Sequence, residues 1–293
     1  MIDRYSLPDM EKLWNDETRF KKMLDIEIYA CEALVKERKM PQKELQNILK
    51  KAKIDVEDIQ KREEVVHHET VAFLESISCM VGPSSSKYLH YGLTSSDALD
   101  TALSLVMRDS LDLIIKDAQL LRRNLLKQAR KYKDLVVIGR THGVHAEPMT
   151  LGLKFLNWVY EADRCIERLK SARESVSYGK ISGSVGTYAN VEPFVEKYVC
   201  RKLRLKPAKI SSQILQRDIH SDYLYSITML GNLLERIAME IRHLHRTEIQ
   251  ELCEPFSKGQ KGSSSMPHKK NPILCERICG LSRVLRGNLI IAL

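Results

Sequence analysis

The segment from residue 259 to residue 272 carries the residue types best suited to chemistry in this sequence. Its sequence is GQKGSSSMPHKKNP, with three consecutive serines before Met266 and two lysines between its prolines. The glycines and serines predict a mobile loop, and its successive backbone N–H groups and hydroxyls would cradle an anion that Lys269 neutralises. A solvated linker between two helices would have the same composition, so both interpretations stand at this point.

A second segment places two histidines close together. His142 and His145 occur in GRTHGVHAEP, residues 139–148, directly after a β-prone run at 135–138. Because histidine titrates near neutral pH, His142 is well suited to acid–base work. Taken alone, it is more often a helix-capping or core histidine. A metal pair with His145 is a further alternative, although no other ligand stands at a useful spacing.

A third segment, HYGLTSSD at residues 90–97, ends in a polar cluster. Thr94, Ser95, Ser96 and Asp97 are all residues that cap helix N-termini well. By itself this cluster predicts only the start of a helix.

Long helices must position these three segments. Apolar residues at helical spacing predict helices from Leu99 to about residue 131, from 148 to about 178 and from 218 to 252, the first spanning about 50 Å. Shorter helices are predicted over residues 13–35, 71–80 and after 41 and 55, with a loop at 83–95 and breaks at 181–190 and 257–272. The helical pattern still runs at Leu293, which predicts further chain beyond it.

Composition supports an all-α protein. Only 13 glycines, 9 prolines and 6% aromatic residues are present, which favours long helices over sheets. We predict an N-terminal helical domain at residues 1–110 and an elongated, incomplete long-helix bundle at residues 111–293.

Charge and cysteine content narrow the class of protein. The net charge of +9 suits a polyanionic small ligand as well as nucleic acid, and the basic residues are interspersed with acids, so nucleic-acid binding is not expected. Seven irregularly spaced cysteines predict reduced thiols in the cytoplasm. The N-terminus does not have the pattern of a signal peptide, and no apolar run approaches the length of a membrane span.

The loop at 259–272 resembles the signature loop of the fumarase/aspartase superfamily, whose members abstract a proton β to a leaving group and release fumarate. The resemblance implies that Ser263 is the general base and that Lys269 and Asn271 hold a substrate carboxylate. Residues 139–148 are similar to the threonine–histidine region of the branch that acts on succinylated purine nucleotides. That similarity implies that His142 protonates the departing nitrogen with support from Glu276. The resemblance extends over the whole chain and implies no cofactor and no metal.

The same resemblance implies a substrate-binding set drawn from several segments, with His90 near the nucleotide phosphate. The implied substrate-binding residues are Arg4, Tyr5, His68, Glu69, Thr70, His90, Thr94, Ser95, Gln213, Arg217, Ser264, Lys270 and Asn271. Two positions depart from the family pattern. Glu69 stands where aspartate is usual, and Ile219 stands where arginine is common, which removes one positive charge.

The implied reaction is β-elimination of fumarate from adenylosuccinate to give AMP, and from the succinyl-aminoimidazole-carboxamide ribotide of purine biosynthesis. The family implies a cytoplasmic homotetramer whose active sites are shared between chains, without nucleic-acid or membrane partners. Because the family is longer, this chain is expected to be a fragment or a shortened homologue. The alternatives are a 3-carboxymuconate cycloisomerase-like or other superfamily lyase, or a catalytically impaired helical assembly fragment.

Overall fold

The computed structural model describes residues 5–293, so the predicted nucleotide-binding Arg4 lies outside the described part. In chain order the helices and strands are α1 (Pro8–Leu13), α2 (Asp16–Lys36), α3 (Gln42–Lys51), α4 (Val56–Val66), α5 (Glu69–Val81), α6 (Pro83–Ser86), α7 (Ser95–Lys131), β1 (Val136–Thr141), β2 (Val144–Thr150), α8 (Leu151–Ser175), β3 (Tyr178–Gly179), α9 (Pro193–Leu203), β4 (Lys206–Pro207), α10 (Asp218–Leu244) and α11 (Ile273–Ala292). The predicted all-α class is confirmed, and in the described part of the chain the strands form only two small two-stranded sheets. Between residues 5 and 293, no helix is long and apolar enough to cross a membrane.

Contacts divide the chain into two compact units. The first comprises the residues up to Leu113 together with Arg173–Arg217, and the second comprises Ile114–Ala172 and Asp218–Leu293. The domain boundary predicted at residue 110 stays a prediction. The contacts add that residues 173–217 fold with the N-terminal part of the chain.

The first unit has a core built mainly from α2 and α5. Phe20 and Phe73 stack with their ring centroids 5.9 Å apart, and both side chains are buried. Helix α9 adds Val195 and Val199 to the same apolar cluster. Burial of aromatic and branched side chains is the main stabilising contribution here, at about 1.5–3 kcal/mol for each.

In the second unit, α8 and α10 pack with the C-terminal half of α7. The shared apolar cluster consists of Leu125, Trp158, Val159, Ala162, Cys165 and Leu233. Helix α11 lies antiparallel to α10. At the start of α10, the Ser221 hydroxyl donates to the carbonyl of Ala292 at the end of α11. Farther along α10, the carbonyl of Gly231 accepts from the hydroxyl of Ser282, which comes earlier in α11. Gly231 permits this approach, since a Cβ there would lie 2.7 Å from a methyl carbon of Leu285.

Two helix boundaries differ from the sequence prediction for identifiable reasons. Helix α10 ends at Leu244 rather than near 252, because the chain turns back and the amides of Glu251 and Leu252 donate to the Leu244 carbonyl. Helix α8 begins at Leu151 rather than 148, because residues 148–150 pair with β1 as the end of β2. The β-prone run became β1, whereas β2 and α9 were not predicted.

Candidate active site

The predicted acid His142 lies at the tip of a β-hairpin. Thr141 pairs with Val144, so His142 and Gly143 form a two-residue turn, with φ values of 57° and 82°. Positive φ at both central positions is typical of a type I′ turn, which suits the twist of a hairpin. The His142 side chain is exposed. The imidazole is therefore accessible at the tip of the hairpin.

Arg140 anchors this hairpin within the second unit. Its guanidinium forms two hydrogen bonds to the carboxylate of Glu251, at 3.0 and 2.5 Å. This bidentate pair lowers the pKa of Glu251 and raises that of Arg140. The hairpin is thus tied to the segment that follows α10.

The signature loop folds back on itself at Gly262. A Cβ on this buried residue would lie 2.1 Å from the carbonyl oxygen of Lys269, so only glycine fits here. Its neighbour Ser263 accepts hydrogen bonds at Oγ from the amides of Met266, at 3.2 Å, and Ser265, at 3.4 Å. Hydrogen bonds donated to an oxygen stabilise its deprotonated form. Because Ser263 directly follows Gly262, this fold of the loop also brings the predicted base close to the backbone of Lys269.

A cavity of about 1220 Å³ lies between this loop and the end of α10, entirely within the second unit. Of the predicted site residues, Lys269, Lys270, Asn271 and Glu276 line it. His142, Ser263 and Ser264 are not among its lining residues. The structure thus brings together the predicted carboxylate-binding groups and Glu276, and places the predicted acid and base outside this cavity's wall.

The cavity wall also contains two arginines and a histidine that were not among the predicted site residues. Arg242, His243 and Arg246 line it from α10 and the turn after it. Their helical spacing was visible in the sequence, but the direction in which this face points was not. Of the two acids in the wall, Glu251 is already paired with Arg140. The remaining excess of positive charge suits a polyanionic ligand.

In the first unit, the start of α7 organises the other predicted binding segments. Asp97 accepts from the amide of Thr94 at 2.9 Å, which is one of the two bonds of a capping box at the start of α7. The same carboxylate accepts from Lys180 and from the amides of Ser182 and Gly183. One buried acid therefore holds the Thr94 segment and the 180–183 segment together.

Asp100, one turn farther along α7, holds the segment that contains Gln213. It accepts from the amide of Leu215 at 2.8 Å and from both terminal nitrogens of Arg217, at 3.0 and 3.1 Å. The predicted substrate ligand Arg217 is thus committed to an ion pair in this structure. Gln213 remains exposed.

Two of the residues predicted near the N-terminus of α5, His68 and Glu69, have side-chain partners within the chain. His68 caps α5 by accepting from the amide of Val71 at 3.5 Å. Glu69 forms an ion pair with Arg19, and Thr70 is buried. Tyr5 is exposed. These contacts account for the local folding of the segment, and their roles toward a substrate stay predictions.

His90 lies in a turn and is held by a buried carboxylate. Glu27, which is only 1% exposed, accepts from the His90 amide and lies 2.7 Å from its ring Nδ1. Burial by itself would lower the pKa of His90, but the hydrogen bond and charge of Glu27, with Asp97, raise it above its ordinary value of 6.5.

This raised pKa predicts a pH-dependent stability. Because the His90 pKa is higher in the folded state, the contribution of the pair is fully present below pH 6.5 and is lost as the pH rises through the folded-state value. We expect the unfolding free energy of the protein to exceed that of Glu27→Gln by about 1–3 kcal/mol at the acid end, with the difference shrinking toward alkaline pH. Urea denaturation of both proteins from below pH 6.5 to alkaline pH tests this prediction. A difference in unfolding free energy that grows as the pH rises would contradict it.

Comparison with known proteins identifies the family of this chain. The chain matches the lyase family over residues 4–287. It is 49% identical to the adenylosuccinate lyase of Aquifex aeolicus (strain VF5), over 100% of this chain and 68% of that protein. It is 46% identical to the adenylosuccinate lyase of Bacillus subtilis (strain 168), with the same coverage of 100% and 68%. The chain therefore spans about two thirds of the length of these relatives.

Solved structures show the same fold. A 3-carboxy-cis,cis-muconate lactonizing enzyme from Pseudomonas putida superimposes with a TM-score of 0.89 at 28% identity, covering 99% of this chain and 66% of that one. A fumarate lyase from Mesorhizobium sp. BNC1 gives 0.86 at 27% identity, covering 96% and 64%. Identity is markedly higher to the curated relatives than to either structure, so the chain belongs to the lyase family and, within it, to the adenylosuccinate lyases.

Proposed function

We propose that this protein eliminates fumarate from adenylosuccinate to give AMP, and from the succinyl-aminoimidazole-carboxamide ribotide of purine biosynthesis. The observation that carries the proposal is the cationic cavity, whose wall includes Lys269 and Asn271 of the signature loop together with Arg242 and Arg246 of α10 and the turn after it. A succinylated nucleotide bears two carboxylates and a phosphate, and this excess of positive charge would stabilise it. The 46–49% identity to adenylosuccinate lyases supports the same substrate.

The proposed reaction begins with loss of a proton from the carbon β to the departing nitrogen. Ser263 would accept this proton, and the adjacent carboxylate would take up the charge as a dianionic aci-carboxylate. Lys269 and Asn271 would hold that carboxylate in place, which lowers the barrier by preorganised electrostatics. Expulsion of water when the loop closes would strengthen these interactions and bring the Ser263 alkoxide within reach.

The second half of the reaction breaks the C–N bond. His142 would donate a proton to the nitrogen as it leaves, with Glu276 supporting the imidazolium form. The remaining proposed contacts are those implied by the family. They are Arg4, Tyr5, His68, Glu69, Thr70, His90, Thr94, Ser95, Gln213, Arg217, Ser264 and Lys270.

Assembly into a homotetramer with shared active sites is part of the proposal. Large apolar side chains on α11 and at its end are exposed, including Val284 at 57% and Ile290 at 74%. Exposed apolar surface of this kind is typical of subunit contacts. A cytoplasmic location is proposed because all seven cysteines are free thiols, as expected in a reducing compartment.

Direct assay of the purified protein tests the reaction. Incubation with adenylosuccinate is expected to release fumarate and AMP in equal amounts, followed by absorbance and chromatography. A parallel incubation with 3-carboxy-cis,cis-muconate is expected to show no turnover. Turnover of the muconate without any fumarate from adenylosuccinate would overturn the proposal in favour of a cycloisomerase.

A further inference from the structure

Glu254 caps a helix that lies beyond the signature loop. Its carboxylate accepts hydrogen bonds from the amides of Leu274, at 3.0 Å, and Cys275, at 3.1 Å, in the first turn of α11. Pro272, the residue at the N-cap position, makes no side-chain capping bond. A carboxylate at this place satisfies free amides and interacts favourably with the helix dipole. Glu254, which precedes the loop in sequence, thus caps the helix that follows the loop.

Burial makes this cap sensitive to substitution. Glu254 is only 5% exposed, and its neighbour Cys275 is 6% exposed. Burial, with the adjacent Glu254 carboxylate adding to it, raises the pKa of Cys275 to about 12. Cys275 therefore stays a neutral thiol beside the carboxylate. A buried carboxylate that already accepts two amide bonds is fixed in position.

His245 connects the same residue to the far end of the loop. The amide of Glu254 donates to His245 Nδ1 at 3.2 Å, which places the ring hydrogen of the neutral imidazole on Nε2. Nε2 lies 2.9 Å from the carbonyl oxygen of Lys270 and donates to it. The two ring nitrogens therefore join Glu254, which precedes the loop, to Lys270 near the end of the loop. Neither His245 nor Glu254 is used in the proposed reaction steps.

These bonds close the neck of the signature loop, by which we mean the place where Glu254, ahead of the loop, meets Lys270 and the first turn of α11 at its end. Lys270 lies between Lys269 and Asn271, so fixing its carbonyl restrains the two residues proposed to hold the substrate carboxylate. We propose that His245 and Glu254 are positioning residues that clamp the neck of the loop and hold Lys269 and Asn271 in their working geometry. This inference rests on the proposed function for its catalytic consequence, whereas the clamp itself is independent of it.

The first test is kinetic and uses His245→Leu, which removes both ring nitrogens. We expect kcat for fumarate release to fall by about 10²-fold with a much smaller change in KM, because misplacement by about 1 Å costs that much. His245→Gln retains a donor for the Lys270 carbonyl and is expected to recover part of the rate. The unfolding free energy of the two variants is expected to be equal. If His245 had only a structural role, the Gln variant would not recover rate without also recovering stability.

The second test is hydrogen exchange, which needs no activity. In His245→Leu and Glu254→Gln, the amides of Leu274 and Cys275 are expected to exchange faster than in the unsubstituted protein, while the middle of α10 is unchanged. Glu248→Gln is the matched control, because Glu248 is exposed and lies close by in sequence. It is expected to leave both exchange and kcat unaltered.

The outcomes separate the two proposals. If the unsubstituted protein releases no fumarate, the proposed function fails, and faster exchange in the variants still supports the clamp. If the unsubstituted protein is active and His245→Leu matches it in kcat and exchange, the clamp is overturned. Equal loss of rate in the Leu and Gln variants, with a matching fall in stability, also overturns it.

Discussion

Replacing Ser263 with alanine is expected to lower kcat for fumarate release by about 10²–10⁴-fold, the range that a positioned general base contributes. The side chain accepts two backbone amides and lies next to Gly262, whose contact with Lys269 leaves no room for a side chain. Alanine occupies less space than serine, so the fold of the loop is expected to persist. Steady-state kinetics with adenylosuccinate provide the measurement.

Ser265→Ala is the matched control for this substitution. Ser265 lies two residues away, is exposed, and donates to Ser263 through its backbone amide, which the substitution retains. It is expected to keep kcat within a few-fold of the original value. If Ser263→Ala retained comparable activity, the proton would be abstracted by another group, and the proposed role of Ser263 would be wrong.

Lys180→Met is expected to lower the free energy of unfolding by about 3–5 kcal/mol, because it leaves the Asp97 carboxylate buried without its cation. Both side chains are fully buried, with 0% exposure. Asp97 would keep its amide donors, including those of Thr94 and Ser182, but these do not neutralise the charge. Urea denaturation followed by circular dichroism measures the change.

Two further variants isolate the effect of burial. Lys170→Met removes a pair with Glu167 that is largely exposed, at 50% and 71%, and is expected to cost less than about 1 kcal/mol. The double variant Asp97→Asn/Lys180→Met removes both charges and is expected to recover part of the lost stability. A small loss for Lys180→Met, similar to that for Lys170→Met, would show that the buried pair does not stabilise this unit.

Much of the fold follows from local properties of the sequence. The periodic apolar residues of α7, α8 and α10 predicted three long helices, and the Thr94–Asp97 cluster predicted the start of α7. These signals were sufficient because helix periodicity and capping depend on residues only three or four positions apart. The signature loop was likewise recognisable from its unusual run of glycine, serine, lysine and proline.

Other features depend on contacts that are distant in sequence. Helix α9 and strand β2 were not predicted, and α10 was predicted too long. Strand β2 forms because residues 144–150 pair with β1, and α10 ends early because the chain turns back to the Leu244 carbonyl. In both places a tertiary contact overrides local propensity. The ion pair between Arg217 and Asp100 could not be predicted either, since the two residues are far apart along the chain.

The sequence alone determined the helical class, the long helices and the chemical identity of the signature loop, because each is encoded by neighbouring residues. The tertiary structure decided which carboxylate caps α11, which cations face the cavity and which lysine is buried against Asp97. Each of those outcomes requires two segments to meet in space. Glu254 and Lys180 have no local pattern that distinguishes them from solvent-exposed charges, and only burial with a specific partner gives them their function.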